Sequence, residues 1–322
     1  MLFNVCALYI KIMNNENQTI HKSDDNLTIY GWNEKLNQLK QESIYSTLAH
    51  GRVSIVHRTC YEVISGNGLF QCELTGNMMY GKSDDELPCT GDWVIFQPFD
   101  EHKGIIVDSL PRERTLYRKK SGTVADKQAI ASYVDKAFIV QSLDDNFNVR
   151  RVERFMVQIM EENISSVLVL NKADLDFDRQ SVEEQIKHIS SQIPVFFTSI
   201  HQLETIVRLR KSISEGETVV FVGSSGVGKS SLVNALCEKS VLLTSDISLS
   251  TGKGRHTSTR REMVLMDSSG VLIDTPGVRE FGLAIDNPDS LAEVLEISDY
   301  AELCRFKDCK HINEPGCAVL EA

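Results

Sequence analysis

The sequence has 322 residues, 42% of them hydrophobic and 25% charged, with a formal net charge of −11. This is the composition of a water-soluble folded chain, and at roughly 150 residues per domain it predicts two or three domains. The acidic balance excludes indiscriminate coating of a nucleic acid, because polyanions repel one another, although local basic patches remain compatible with it.

The chain opens with Met1–Met13 (MLFNVCALYIKIM), which is apolar for ten residues or so. A bilayer span needs about 20, and neither a basic lead-in nor a small-residue cleavage site is present, so no membrane partner is expected. A translation start at Met13 would leave the first dozen residues outside the native protein, which an intact mass would reveal. Residues 1–47 read as a polar N-terminal arm. Residues 48–115 carry short β-rich runs at Val53–Val56, Tyr61–Ile64, Phe70–Leu74, Trp93–Phe96 and Gly104–Val107, with turn formers such as Gly66-Asn67-Gly68, Gly76-Asn77 and Gly91-Asp92 between them. Short strands at regular spacing predict a small barrel. Barrels of the OB type often bind RNA, an analogy from fold alone.

Residues 116–286 change to strand–helix alternation. Strands are predicted at Ala137–Leu143, Ser166–Leu170, Val195–Thr198, Thr218–Val222 and Val271–Ile273. Helices are predicted at Val149–Glu162, Arg179–Ser191, Leu203–Ile213 and Leu232–Cys237. Such alternation implies a mostly parallel sheet covered on both faces. Residues 287–322 are helical and then irregular around a cysteine cluster.

Five patterns carry chemistry. Gly223-Ser224-Ser225-Gly226-Val227-Gly228-Lys229-Ser230, followed by Ser231, fits G-x-x-x-x-G-K-[ST] between a strand and a helix. Glycines let backbone amides turn around a β-phosphate, and the helix start presents further amides. Lys229 is placed to bridge the β- and γ-phosphates and Ser230 to ligate Mg²⁺. Asn171-Lys172-Ala173-Asp174 follows a strand. The Asp174 carboxylate can accept from guanine N1–H and its exocyclic amine, whereas adenine presents an acceptor at N1 that would leave the carboxylate unpaired. Asn171 would touch the base edge or tie this loop to the phosphate loop, and the Lys172 stem would lie across the ring. Asp274-Thr275-Pro276-Gly277 follows an apolar strand, with Asp274 placed to hold Mg²⁺ through water and the Gly277 amide to sense the γ-phosphate. Between them Ser250–Arg261 is a polar, basic loop, in which Thr257 is the choice for a second Mg²⁺ ligand and Ser258 and Thr259 compete with it. Cys304, Cys309, His311 and Cys317 supply four N/S ligands within fourteen residues, the set for one structural tetrahedral zinc. The other cysteines (Cys6, Cys60, Cys72, Cys89 and Cys237) are scattered, which predicts a reducing, cytoplasmic compartment rather than a disulfide framework.

The order of these patterns is informative, because N-K-A-D precedes the phosphate loop that comes first in ordinary GTPases. NKAD at 171–174, GSSGVGKSS at 223–231, GKGRHTST at 252–259, DTPGVREFGL at 274–283, GDWV at 91–94 and the terminal Cys/His cluster together resemble the circularly permuted ribosome-small-subunit-dependent GTPases (the RsgA/YjeQ type) over roughly residues 48–317. The resemblance implies an OB-like barrel, a permuted α/β P-loop GTPase domain and a small zinc-binding domain. It also implies binding of GTP and GDP, binding of rRNA, late maturation of the small ribosomal subunit, and stimulation of GTP hydrolysis by that subunit; a monomer is expected. That family usually continues into helical sequence after the zinc ligands, whereas this sequence ends five residues after Cys317.

Many GTPases place a water-orienting Gln directly after D-x-x-G. Here the position is Val278, which has no hydrogen-bonding atom. His256 in the 250–261 loop is the candidate to align or deprotonate the water, and the resemblance supports it. Slow intrinsic turnover is therefore expected. The competing reading is a GTP-dependent scaffold with negligible turnover; an ATPase is disfavoured by Asp174. Basic clusters at Arg112, Arg114, Arg118, Lys119 and Lys120, and at Lys253, Arg255, Arg260 and Arg261, are either local phosphate contacts or solvated faces.

Overall fold

A computed structural model describes residues 26–83, 85–119, 127–145, 147–237, 262–266, 269–274, 300, 303–306, 309 and 316–318. Helix α1 (Glu34–Glu42) starts where the Asn33 side chain accepts from the Leu36 amide. It is followed by β1 (Ala49–Val56), β2 (Tyr61–Ser65), β3 (Gly68–Leu74), α2 (Gly76–Gly81), β4 (Trp93–Asp100) and β5 (Lys103–Ser109). Strands β1-β2-β3-β5-β4 pair in that order and β4 returns to β1, closing a five-stranded barrel in which only β3–β5 is parallel. Inward positions alternate as a barrel requires: Val53, Val63, Phe70, Cys72, Phe96 and Ile106 meet in one core. The expected turn at Gly76-Asn77 is instead the start of α2, which Thr75 caps and Met78 anchors in that core.

The polar arm turns out to be built into the molecule from residue 26 onward. Leu27, Trp32 and Leu36 are isolated apolar residues in a polar stretch, and all three are buried against Trp93, Ile95, Leu110 and Tyr133. Aromatic contact between Trp32 and Trp93, with centroids 4.8 Å apart, joins arm to barrel.

Next come β6 (Leu116–Lys119) and β7 (Lys127–Ala131), a separate antiparallel pair. The second half of the chain adds β8 (Lys136–Ser142), α3 (Val149–Glu161), β9 (Ser165–Asn171), α4 (Arg179–Gln185), α5 (Lys187–Gln192), β10 (Val195–Thr198), α6 (Leu203–Lys211), β11 (Thr218–Val222), α7 (Lys229–Leu236), β12 (Glu262–Met266) and β13 (Ser269–Asp274). Their order is β10-β9-β8-β11-β13-β12, parallel except for β12. Both faces are covered. Ala137, Ile139, Leu168, Leu170, Val220 and Val222 belong to the core that includes α3, while Phe138, Val140, Val167, Val169, Val219 and Phe221 belong to the one that includes α6 and α7. Strands buried on two sides explain the near-continuous apolar runs. The single helix expected over Arg179–Ser191 is broken at Ile186, whose ψ of 7° leaves the helical region while its side chain stays buried.

Barrel and parallel sheet are joined by a β1–β12 pairing at Ile55 and Glu262 and by Arg52. The Arg52 guanidinium, 1% exposed, donates to the Gly91 carbonyl at 3.0 Å, to Thr218 Oγ1 at 2.9 Å, and to the carbonyls of Tyr30 and Tyr133. Burial lowers its pKa to about 10, so it remains a cation at neutral pH. It thereby fastens arm, barrel and the strand that carries the phosphate-loop sequence.

Two members of the first basic cluster are not free for phosphate. Arg112 forks onto the fully buried Asp92 carboxylate, with Nη2–Oδ2 at 2.7 Å, and also donates to the Asp85 and Leu87 carbonyls. Arg114 pairs with Asp135 at 2.9 Å. Arg118 donates to Gln128 across the β6–β7 pair. Arg112 and Arg114 thus serve the junction of barrel and sheet, each paired with a carboxylate. Arg112→Ala is expected to cost about 3 kcal/mol of stability by stranding the Asp92 charge, the lower end of the range for breaking a buried pair. Urea unfolding of the two proteins measures it, and an unchanged midpoint would contradict the assignment. Among the described residues, no helix is long and apolar enough to cross a membrane.

Candidate nucleotide-binding site

The carboxyl ends of β8, β9, β10 and β11 converge on one edge of the sheet, where open α/β folds bind ligands. Strand β11 is followed at once by Gly223, whose φ of +144° L side chains rarely adopt, and where a Cβ would lie 2.4 Å from the Val140 carbonyl. Gly228, at φ +93°, would bring a Cβ to 2.3 Å from the Asn171 amide nitrogen. Both positions therefore require glycine, and the close approach they permit lets the 223–228 turn lie against the end of β9. Val227 is buried under the turn, while Ser225, Gly226, Ser230 and Ser231 are exposed. Lys229 opens α7, and its Nζ donates to the Gly223 and Ser224 carbonyls, each at 2.6 Å. The ammonium thus sits over the turn.

Strand β9 ends at Asn171, 3% exposed, whose side-chain Nδ2 donates to the Val227 carbonyl at 2.9 Å. The two sequence patterns, far apart and in inverted order along the chain, are hydrogen-bonded to each other. Thr198 Oγ1 donates to Asn171 Oδ1 at 3.3 Å, and the Ala173 amide donates to the Thr198 carbonyl at 3.0 Å, so β10 braces the loop. Lys172 takes a left-handed φ of +62°, and its ammonium pairs with Asp144 at 2.7 Å. Asp174 is exposed and accepts from Ser199 Oγ at 2.5 Å. That hydrogen bond holds the Asp174 pKa below the usual carboxylate value, so the carboxylate is ionised at neutral pH and ready to accept from a ligand.

Asp274 closes β13, which lies beside β11 with Ile273 opposite Val220, so its backbone stands at the same edge. His256, Thr257, Gly277 and His311 lie outside the described residues. Thr198, Ser199, Ser142 and Asp144 belong to none of the motifs legible in the sequence. The available signal was a polar Thr198-Ser199 pair ending a short strand, and Ser142-Leu143-Asp144-Asp145 ending another, both at carboxyl ends of parallel strands.

The Sγ atoms of Cys304, Cys309 and Cys317 lie within 4.8 Å of one another, with Cys304 and Cys317 3.9 Å apart. Thiolates bound tetrahedrally at ~2.3 Å stand ~3.8 Å apart, so the donor set fits one zinc ion.

Comparison with known proteins agrees with this geometry. The family model described as RsgA GTPase matches residues 109–284. A protein of Bacteroides thetaiotaomicron named small ribosomal subunit biogenesis GTPase RsgA 1 is 74% identical over 310 residues, covering 96% of this chain and 85% of its own. A similarly named protein of Methanosarcina acetivorans is 38% identical, with the same coverages of 96% and 85%. Among solved structures, YjeQ from Thermotoga maritima superposes with a TM-score of 0.62 at 26% identity over 85% of this chain and 90% of that one. YloQ, a circularly permuted GTPase, gives a TM-score of 0.59 at 22% identity over 87% and 89% of the two chains and shares the fold. With its motifs in permuted order, a closed barrel ahead of them and a thiolate cluster behind, the chain belongs to the RsgA GTPase family.

Proposed function

We propose that the chain binds and hydrolyses GTP as an assembly factor in late maturation of the small ribosomal subunit, in the cytoplasm. It would bind rRNA and be stimulated by the subunit. The observation that carries the nucleotide reading is the hydrogen bond from Asn171 to the Val227 carbonyl, which brings base-reading and phosphate-reading segments to one edge. Names of the relatives, given to proteins of small ribosomal subunit biogenesis, support the biological setting.

In this reading Asp174 selects guanine, the 223–228 amides and Lys229 hold the phosphates, and the Gly277 amide meets the γ-phosphate. Mg²⁺, with Ser230, Thr257 and Asp274 as its holders, supplies charge neutralisation between the β- and γ-phosphates. His256 aligns the attacking water in place of the Gln that Val278 replaces. The division is an arm at 1–47, an OB-like barrel at 48–115, a GTPase domain at 116–286 and a zinc domain at 287–322, acting as a monomer.

Release of phosphate under multiple turnover, with and without small ribosomal subunits, tests the function. Slow release that rises on adding subunits is expected. The second reading, a GTP-dependent scaffold, is favoured by Val278 and predicts tight GTP binding without turnover in either condition. Zinc in the terminal cluster has its own check. Elemental analysis is expected to find about one zinc per chain, released on unfolding with chelator. Substituting Cys304 and Cys317 together with Ser should bring the zinc content close to zero, and retention of the metal would contradict the ligand set.

A further inference from the structure

The Ser142–Asp144–Lys172 chain is not explained by the roles given above. Asp144 lies just past the end of β8, in a loop that the nucleotide-reading residues do not belong to. Its Oδ1 accepts from Ser142 Oγ at 2.7 Å and its Oδ2 from Lys172 Nζ at 2.7 Å. Backbone contacts fix both loops. The Leu143 amide donates to the Asn171 carbonyl at 2.9 Å, and the Phe147 amide donates to the Asp144 carbonyl at 2.9 Å. Asp144 is thus held from its own main chain, from Ser142 and from β9, before it meets the lysine.

Lys172 needs such a holder. Its backbone is in the left-handed region, and its side chain, 35% exposed, has four rotatable methylene bonds that would otherwise sample many rotamers. If the stem is to lie flat across a purine, fixing the ammonium at its far end removes most of that freedom before the nucleotide arrives. A half-exposed ion pair contributes little to fold stability, which makes a purely structural purpose a poor account of a carboxylate with two aligned donors.

We propose that Asp144 is a positioning residue for the base site: it anchors the Lys172 ammonium so that the lysine stem is pre-set as one wall for the purine. The inference rests on the nucleotide reading above. It predicts that Asp144 acts on affinity only through Lys172, and on guanine and hypoxanthine nucleotides alike, because the stem contacts the ring face and not its edge.

The test is a double-substitution cycle in the full-length protein, with Kd read by fluorescence titration with mant-GDP and mant-IDP. Asp144→Ala should weaken both nucleotides by about five- to tenfold, the effect of releasing one rotamer-rich side chain together with its charge partner. In a Lys172→Ala background the same change should have no further effect, and Asp144→Glu should restore part of the loss. Thermal unfolding midpoints of all variants identify any that fail to fold. Equal weakening by Asp144→Ala in both backgrounds would overturn the inference. So would unchanged or tighter binding, which would mean that the pair competes with the nucleotide. If the unsubstituted protein bound neither probe, the nucleotide reading itself would fail, a result distinct from an additive cycle.

Discussion

Replacing Asp174 with Asn is expected to weaken GDP binding by about 100- to 1,000-fold, while xanthosine diphosphate comes to bind more tightly than GDP. The carboxylate can accept from guanine N1–H and from the exocyclic amine, and two charge-assisted hydrogen bonds of about 1.5–3 kcal/mol each are at stake. An Asn amide keeps one acceptor but turns a donor toward the amine, which guanine cannot satisfy. Xanthine carries a carbonyl at that position, so it accepts from the amide instead. The substitution leaves Ser199 its acceptor, since Asn Oδ1 can take the place of the carboxylate oxygen that now lies 2.5 Å from Ser199 Oγ. Because the Asp174 pKa is held below its ordinary value, the unsubstituted protein should keep its guanine affinity as pH falls through the ordinary carboxylate range, losing it only at lower pH. Competition against a labelled nucleotide measures both effects. Equal weakening toward GDP and xanthosine diphosphate would remove Asp174 from the base contact.

Lys229→Ala should have the larger effect on GTP, a loss in affinity of about 1,000-fold or more with a smaller loss for GDP. The ammonium lies over the turn on the Gly223 and Ser224 carbonyls at 2.6 Å, a position from which a short rotation reaches bound phosphate. Its charge would oppose the negative charge of the β- and γ-phosphates at hydrogen-bonding range, where charge-assisted contacts are strong. Removing it leaves two carbonyls beside the half-exposed Ser224, where water can solvate them, so the unfolding midpoint should scarcely move. Isothermal titration with GDP and a non-hydrolysable GTP analogue, alongside urea unfolding, checks both halves. Undiminished GTP affinity would mean that the turn does not hold phosphate.

Much of this was legible in the sequence because the chemistry is local. A strand, glycines at 223, 226 and 228, and a lysine at a helix start occupy one short segment. Strands β8 to β11 announce themselves through apolar runs, since both faces of a parallel sheet are buried. The closed barrel followed from short strands and turns.

What escaped detection depends on partners far away in the chain. Leu27, Trp32 and Leu36 look incidental in a polar arm until Trp93 and Tyr133 meet them. Hairpin β6–β7 is rich in basic and polar residues, and it is held by tertiary contact, including Gln158 donating to the Tyr117 carbonyl. Arg112 reads as a surface cation, whereas Asp92 lies twenty positions earlier and fully buried. Ser199 and Asp144 matter through Asp174 and Lys172, a relation between loops that no local pattern encodes.

The central claim is that segments 171–174 and 223–230 serve one nucleotide despite their inverted order, a claim that the Asn171–Val227 hydrogen bond motivates. A crystal structure of the GDP complex tests it directly. The guanine edge is predicted to meet Asp174 while the diphosphate of the same molecule lies in the turn beside Lys229. A GDP whose phosphates occupy that turn while its base sits away from 171–174, or whose base and phosphates reach only one of the two segments, would contradict it.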